Sequence, residues 1–225
     1  MNSRVISLYS PGRTKAIIIL LIMMAGNATF GQKIDRTYFL LGTLHDYMGR
    51  HYPKNNPCQW GYIMTLHENN IAEIRRIEEV TGVKFKRRKK QEDGSNSHEF
   101  FDLKSFFRAR KINSFYDFSK NKGMKDMTGF TFYTGQLKCE RLLKASENKQ
   151  LSFLAGQFLT SGTISEEKYK LSLYNSSERF ECLIKLLQNL NSVIITQEVV
   201  EGIPYAFFIE FIPTEEVKVI LDKEQ

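Results

Sequence analysis

The chain has 225 residues, of which 42% are hydrophobic, 12% aromatic and 25% charged, so it falls in the globular range and is long enough to bury a substantial core. That balance excludes collagen-like and intrinsically disordered classes. The formal net charge is +7, with 32 basic against 25 acidic residues, and part of the excess sits at the N-terminus.

Residues 1–15 carry Arg4, Arg13 and Lys15 and no acidic residue, and Ala16 to Ala25 reads AIIILLIMMA without interruption. A basic stretch followed by an apolar run of about ten residues has the form of a secretory signal, since a bilayer span needs roughly 20. Read instead as a buried first helix, the run would be expected to show a polar face, and it has none. Cleavage is expected after Ala28 or Gly31, making residues 1–31 a signal peptide and the mature protein exported, periplasmic or secreted. Loss of those three basic residues would lower the net charge from +7 to +4.

The next element is a helix from about Thr37 to Met48, closed by Gly49. Tyr62-Ile63-Met64-Thr65-Leu66 reads as a strand, and Asn69-Asn70 caps a helix carrying Ile71, Ile74, Ile77 and Val80. Asn70 with Glu73 forms a capping-box-like pair, and Gly82 ends the helix. The basic run Lys84 to Lys90 comes next as a strand end leading into a polar loop, Gln91 to His98. Phe100, Phe101, Phe106, Phe107, Phe115, Tyr116 and Phe118 come after it; such rings can stack on bases, but their density suggests core.

Leu151, Phe153, Leu154, Phe158 and Leu159 mark a helix that stops at Gly162. Tyr169, Leu171 and Leu173 alternate with Lys168, Lys170 and Ser172, the period of a half-buried strand. Asn175-Ser176-Ser177 caps a helix with Phe180, Leu183, Ile184, Leu187 and Leu190 on its apolar face. Val193 to Val200 and Ile203 to Ile212 read as two strands joined by a tight turn at Glu201-Gly202. Thr214 caps a short last helix through Leu221.

Two stretches repeat. Phe39-Leu40-Leu41-Gly42 parallels Phe153-Leu154-Ala155-Gly156, and the strand Tyr62–Leu66 parallels Tyr169–Leu173 with apolar side chains in register. A duplicated half-domain explains this economically. The expected fold is therefore α+β, with two tandem helix-strand-helix-strand half-domains, antiparallel sheets and a pseudo-twofold axis. The halves would span residues 32–140, including a basic and aromatic-rich insertion, and 141–225. In that arrangement Gly42 and Gly156 sit at a helix interface, where only small residues let backbones approach.

Leu154-Ala155-Gly156 followed by Gly162 has the form L-A-G-x-x-x-x-x-G, and the strand, helix and hairpin after it keep a matching order. The chain thus resembles a degenerate LAGLIDADG half-domain protein, especially the non-cutting version in WhiA-type regulators. The resemblance covers most of residues 36–221. It implies motif helices at the interface of two packed halves, with saddle-shaped sheets below. In the cutting enzymes an acidic residue precedes the motif's last glycine, because two carboxylates hold divalent metal at the scissile phosphate. Here that place is Ser161 in the second copy. In the first copy, Met48 precedes Gly49 and Asp46 lies two residues further back. The resemblance therefore implies binding without nuclease activity.

Lys84, Lys86, Arg87, Arg88, Lys89 and Lys90 are candidate ligands for phosphates or other anions, with a solvated strand end as the bland alternative. His45, His51 and His67 lie near Asp46, Cys58 and Glu68, a composition that suits zinc. No i, i+4 or C-x-x-C spacing supports it, so no metal site and no cofactor are expected. No nucleophile elbow, phosphate loop or dinucleotide motif occurs, and no catalytic residue is assigned. Cys58, Cys139 and Cys182 are an odd set that encodes no disulfide framework, with Cys182 read as a small buried hydrophobe on a helix face.

Two functions are compatible with these features, ahead of a third and least expected one, a hydrolase using His45, Asp46 and His67. The first is an exported, non-catalytic binding protein whose partner is a protein or a polyanion. The alternative is a nucleic-acid-binding regulator with degenerate LAGLIDADG-like halves. Nucleic acid is a partner only if the chain is not exported, and a membrane only through an uncleaved signal segment.

Overall fold

The computed structural model describes residues 33–46, 49–52, 61–92, 95–125, 131–165 and 168–225. The expected signal peptide, Met48 and Cys58 lie outside them. The Asp35 side chain opens helix α1 (Arg36–Gly42) by accepting from the amides of Thr37 at 2.9 Å and Tyr38 at 3.1 Å. The helix ends at Gly42, not near Met48 as the apolar pattern suggested. The Leu41 and Gly42 carbonyls accept from the Arg179 guanidinium at 3.4 and 3.3 Å, and the chain turns away there.

Its counterpart is α5 (Glu147–Ser161), which runs its full pattern to Gly162. Both helices are buried almost all round: Phe39, Leu41, Phe153, Leu154 and Phe158 are fully covered. Such helices belong at the centre of a core.

Around them the chain is duplicated. After α1 come β1 (Arg50–Tyr52), β2 (Tyr62–His67), α2 (Ile71–Thr81), β3 (Lys86–Glu92), β4 (Ser95–Lys104) and α3 (Phe106–Asn113). After α5 the same succession returns as β7 (Gly162–Ser165), β8 (Lys168–Tyr174), α6 (Ser177–Asn189), β9 (Val193–Val200), β10 (Ala206–Ile212) and α7 (Glu215–Leu221). Between the copies lie a hairpin, β5 (Tyr116–Lys125) with β6 (Thr131–Leu137), and a short helix α4 (Cys139–Leu143).

The three sheets among the described residues are antiparallel. The second copy pairs its strands in the order β7-β8-β10-β9, and the first in the order β2-β4-β3. The strand missing from the first copy is β1, which pairs with β6 in the separate sheet β1-β6-β5. Arg50 of β1 nevertheless reaches back to the edge of β2, where its Nη1 donates to the Ile63 carbonyl at 3.2 Å. Ile63 is the residue left without a β4 partner at the register shift between Tyr62 and Met64, and a side chain takes up its carbonyl.

Several helix ends obey the expected chemistry. Asn70 Nδ2 donates to Glu73 Oε1 at 2.9 Å, and Gly82 closes α2 at φ 67°, a conformation costly for any residue with a Cβ. The Thr214 hydroxyl caps α7 through the Val217 amide. The turn at Glu201-Gly202 is longer than a tight hairpin, because β10 starts only at Ala206. Pro204 lacks the amide a ladder position would require.

The odd cysteine set encodes no disulfide framework in its spacing, yet two of its members pair. Cys139 and Cys182 are bonded, with their Cα atoms 5.5 Å apart. Residues 43 positions apart meet because α4 packs on α6, a tertiary event that spacing does not reveal. Cys182 is buried as expected, but as half of a cystine.

Candidate nucleic-acid interface

Alternation along β2, β3 and β4 divides the first sheet into two faces. Met64, Leu66 and Leu103 are buried on one of them. The other is built from register: Thr65 lies opposite Asp102, and Asp102 opposite Lys86. In the next row His67 lies opposite Phe100, and Phe100 opposite Arg88. Tyr62 opposite Lys104 extends the same open face.

That face is internally braced. The Tyr62 hydroxyl donates to Thr65 Oγ1 at 3.0 Å, and Thr65 Oγ1 donates to Asp102 Oδ1 at 2.6 Å. Arg88 donates from Nε to Asp102 Oδ2 at 2.9 Å and from Nη2 to Oδ1 at 3.3 Å. The guanidinium lies 5.4 Å from the centre of the Phe100 ring, and His67 meets that ring edge-on. Burial alone would raise the Asp102 carboxyl, yet hydrogen bonds from Arg88 and Thr65 hold it below its ordinary value.

The six basic candidates do not form one patch. The run and the polar segment after it are not a strand end and a loop: most of their residues belong to a hairpin, β3 with β4, so successive side chains leave on opposite faces. Lys86 and Arg88 lie on the open face. Arg87 and Lys89 lie on the other, where both meet Glu99, Lys89 at 3.8 Å. Lys84 pairs with Glu78 at 2.8 Å. Lys90 occupies the β3 position opposite His98. Among the described residues Lys86 forms no ion pair, whereas three carboxylates engage Lys84, Arg87, Arg88 and Lys89.

Sequence reading missed Tyr62, Thr65, Asp102 and Lys104 as companions of this run. The signal was the alternation of β2 and β4, which predicts one face, although the pairing of β3 with β4 is not readable from it. The aromatic segment after the run is core only in part. Phe115 and Tyr116 are buried, but Phe106 and Phe107 are 52% and 84% exposed at the start of α3, whose inward face is Ala109 and Ile112.

The second sheet's matching face is nearly balanced in charge. Lys170 opposes Glu210, Ser172 opposes Phe208, and Glu198 opposes Phe208 from the other side. Lys170 Nζ lies 4.4 Å from the centre of the Phe208 ring.

At the ends of the interface helices the chemistry differs from that of a metal site. Asp46, at φ 43°, accepts from Arg179 Nη2 at 2.5 Å and from the Tyr116 hydroxyl. Arg179 also donates to Gln157 Oε1 at 2.7 Å, and its side chain is 3% exposed. Ser161 Oγ is taken up by Gln157, donating to its carbonyl at 2.8 Å and accepting from its Nε2 at 2.7 Å. A cleft of about 210 Å³ beside them is lined by His45, Gln157, Thr160, Ser161, Ser172, Leu173 and Tyr174, none of them a carboxylate.

Burial and the neighbouring Arg179 hold the His45 imidazole below its ordinary value, against the opposing pull of Asp46. His51 lies in the sheet β1-β6-β5 and His67 on the open face of the first sheet, so the three histidines occupy three separate places. Among the described residues no three His, Cys, Asp or Glu side chains converge on a metal position.

No protein-family model matches the chain, and no curated protein matches it in sequence. Solved structures do. The homing endonuclease I-DmoI in complex with DNA and Ca is 12% identical, with 82% of this chain and 85% of that one covered at a TM-score of 0.48. The N-terminal LAGLIDADG domain of DUF199/WhiA is 13% identical, with coverages of 84% and 83% and a TM-score of 0.40. Full-length DUF199/WhiA from Thermatoga maritima is 12% identical over 84% of this chain and 55% of that one, at a TM-score of 0.43. At these identities the chain is similar to LAGLIDADG proteins in fold alone.

Proposed function

We propose that the chain binds duplex nucleic acid through the open face of its first sheet and does not cut it. The observation that carries this reading is the joint presentation of Lys86, Arg88 and Lys104, all exposed, with the half-buried Tyr62, His67 and Phe100 on one face of the sheet. Cations and planar rings arrayed on a sheet meet both demands of a groove, phosphate neutralisation and contact with base edges. Binding without cutting is supported by the helix ends. Asp46 is neutralised by Arg179 and hydrogen-bonded by the Tyr116 hydroxyl, and the second position is Ser161, so among the described residues no pair of free carboxylates stands at these helix ends. Titrating the purified protein with duplex DNA at about 50 mM and 200 mM salt should show binding that weakens steeply with salt. Added magnesium or manganese should leave the DNA intact. No binding at the lower salt would contradict the reading.

The cystine Cys139–Cys182 favours a second reading, an exported, non-catalytic protein that binds a protein or polyanionic partner. Disulfides persist in oxidising compartments, and the basic-then-apolar opening of the chain supports the same location. Fractionation and N-terminal sequencing separate the two readings. A cytoplasmic protein that retains Met1 would contradict export.

A further inference from the structure

We propose that Arg88 is a base-reading residue that selects guanine, and that Asp102, Thr65 and Phe100 are its positioning residues. The inference rests on the reading of this face as a nucleic-acid surface and goes beyond it by separating the residue that specifies sequence from those that only attract the backbone.

A guanidinium carries five N–H donors in a rigid fork. Arg88 gives Asp102 one edge of that fork, Nε and one hydrogen of Nη2. The edge formed by Nη1 and the second hydrogen of Nη2 has no partner among the described residues, and the side chain is 50% exposed. Two parallel donors on a fixed plane match the O6 and N7 acceptors of guanine in the major groove. The plane is fixed three ways. Asp102 holds it by two bonds, Thr65 holds Asp102, and the Phe100 ring lies beneath the guanidinium.

Charge decides between a base edge and a phosphate. Arg88 with Asp102 is a neutral pair, and the carboxylate sits within hydrogen-bond distance of the guanidinium, so a phosphate approaching the fork also approaches an anion. A guanine edge is polar and uncharged and meets no such repulsion. Lys86 and Lys104 flank the same strand rows without being neutralised by Asp102 hydrogen bonds, and they suit the backbone. The mutational signature therefore differs between neighbours on one face: position-specific for Arg88, uniform for the lysines.

The experiment is selection of binding sites from a random duplex library by the full chain, repeated with Arg88→Lys, Asp102→Asn and Lys86→Ala. The wild type should enrich guanine at a fixed position. Arg88→Lys keeps the charge and loses the fork, and should reduce that preference by about 5- to 140-fold, the equivalent of one bidentate pair. Asp102→Asn leaves Arg88 unbraced, and should lose the same preference while overall affinity holds or rises. Lys86→Ala should weaken all sequences alike and keep the preference. Binding by the wild type with no guanine preference, or an Arg88→Lys variant weakened equally on every sequence, would overturn this assignment and leave the broader reading standing. No duplex binding by the wild type would overturn both.

Discussion

Gly42 and Gly156 stand in a reciprocal relationship: a Cβ on Gly42 would collide with the carbonyl oxygen of Phe153, and one on Gly156 with that of Phe39. Each phenylalanine lies one helical turn before the glycine of its own helix, so the contact is its own image under the pseudo-twofold axis. The backbone carbonyl at the contact cannot rotate away as a side chain could. Gly156→Leu should therefore cost about 3 kcal/mol or more. Urea denaturation should show a lower midpoint at an unchanged slope, whereas Leu at an exposed helix position should leave it nearly unmoved. An unshifted midpoint for Gly156→Leu would contradict the close approach.

The Arg179–Asp46 pair, with side chains 3% and 8% exposed, joins α6 to the segment that follows α1. Removing one partner leaves the other charge buried, an effect of about 3 to 5 kcal/mol. Asp46→Asn should show it as a loss of thermal stability, and the double change of Asp46→Asn with Arg179→Met should recover part of the loss. A double variant no better than the single one would mean that the pair is not the source of the cost.

Stability should also fall in mild acid. Burial holds the His45 and His51 imidazoles below their ordinary value, so the unfolded chain takes up these protons first. Above a pH of about 6.5 both states are neutral at these positions and nothing is lost. Below it, protonation draws the equilibrium toward the unfolded chain until the folded imidazoles titrate too. The unfolding midpoint of the wild type should drop as the pH falls below about 6.5, and His45→Gln should flatten that drop. Equal slopes in both proteins would remove His45 from the account.

The cystine closes a loop of 43 residues, for which chain entropy gives about 4 kcal/mol of stabilisation. Unfolding with and without a reducing agent should differ by that order. Cys139→Ala with Cys182→Ala should behave like the reduced protein and ignore the reagent.

Much of the fold was readable because its carriers are apolar and periodic. The β8 and α6 patterns, the Gly82 and Thr214 helix ends, and the repeated phenylalanine-to-glycine stretch are all set by residue spacing. The failures share a cause. Strand β3 is KRRKKQE, in which no apolar residue marks the period of two, so its membership of a sheet depends on β4 beside it. The departure of β1 to β6, the Cys139–Cys182 bond and the early end of α1 under Arg179 are each decided by partners more than 40 residues away. The site was half legible: the charges were visible, but their division between two faces was not.

Binding through the open face makes the salt dependence of duplex binding respond differently to substitutions on the two faces of β3. Lys86→Ala with Lys104→Ala removes two cations from the open face, and Arg87→Ala with Lys89→Ala removes two from the opposite face, where Glu99 already holds them. The open-face variant should lower the slope of log affinity against log salt by about 2, and the other variant should leave it near the wild-type value. An unchanged slope in the open-face variant, or a loss confined to Arg87 and Lys89, would contradict the account.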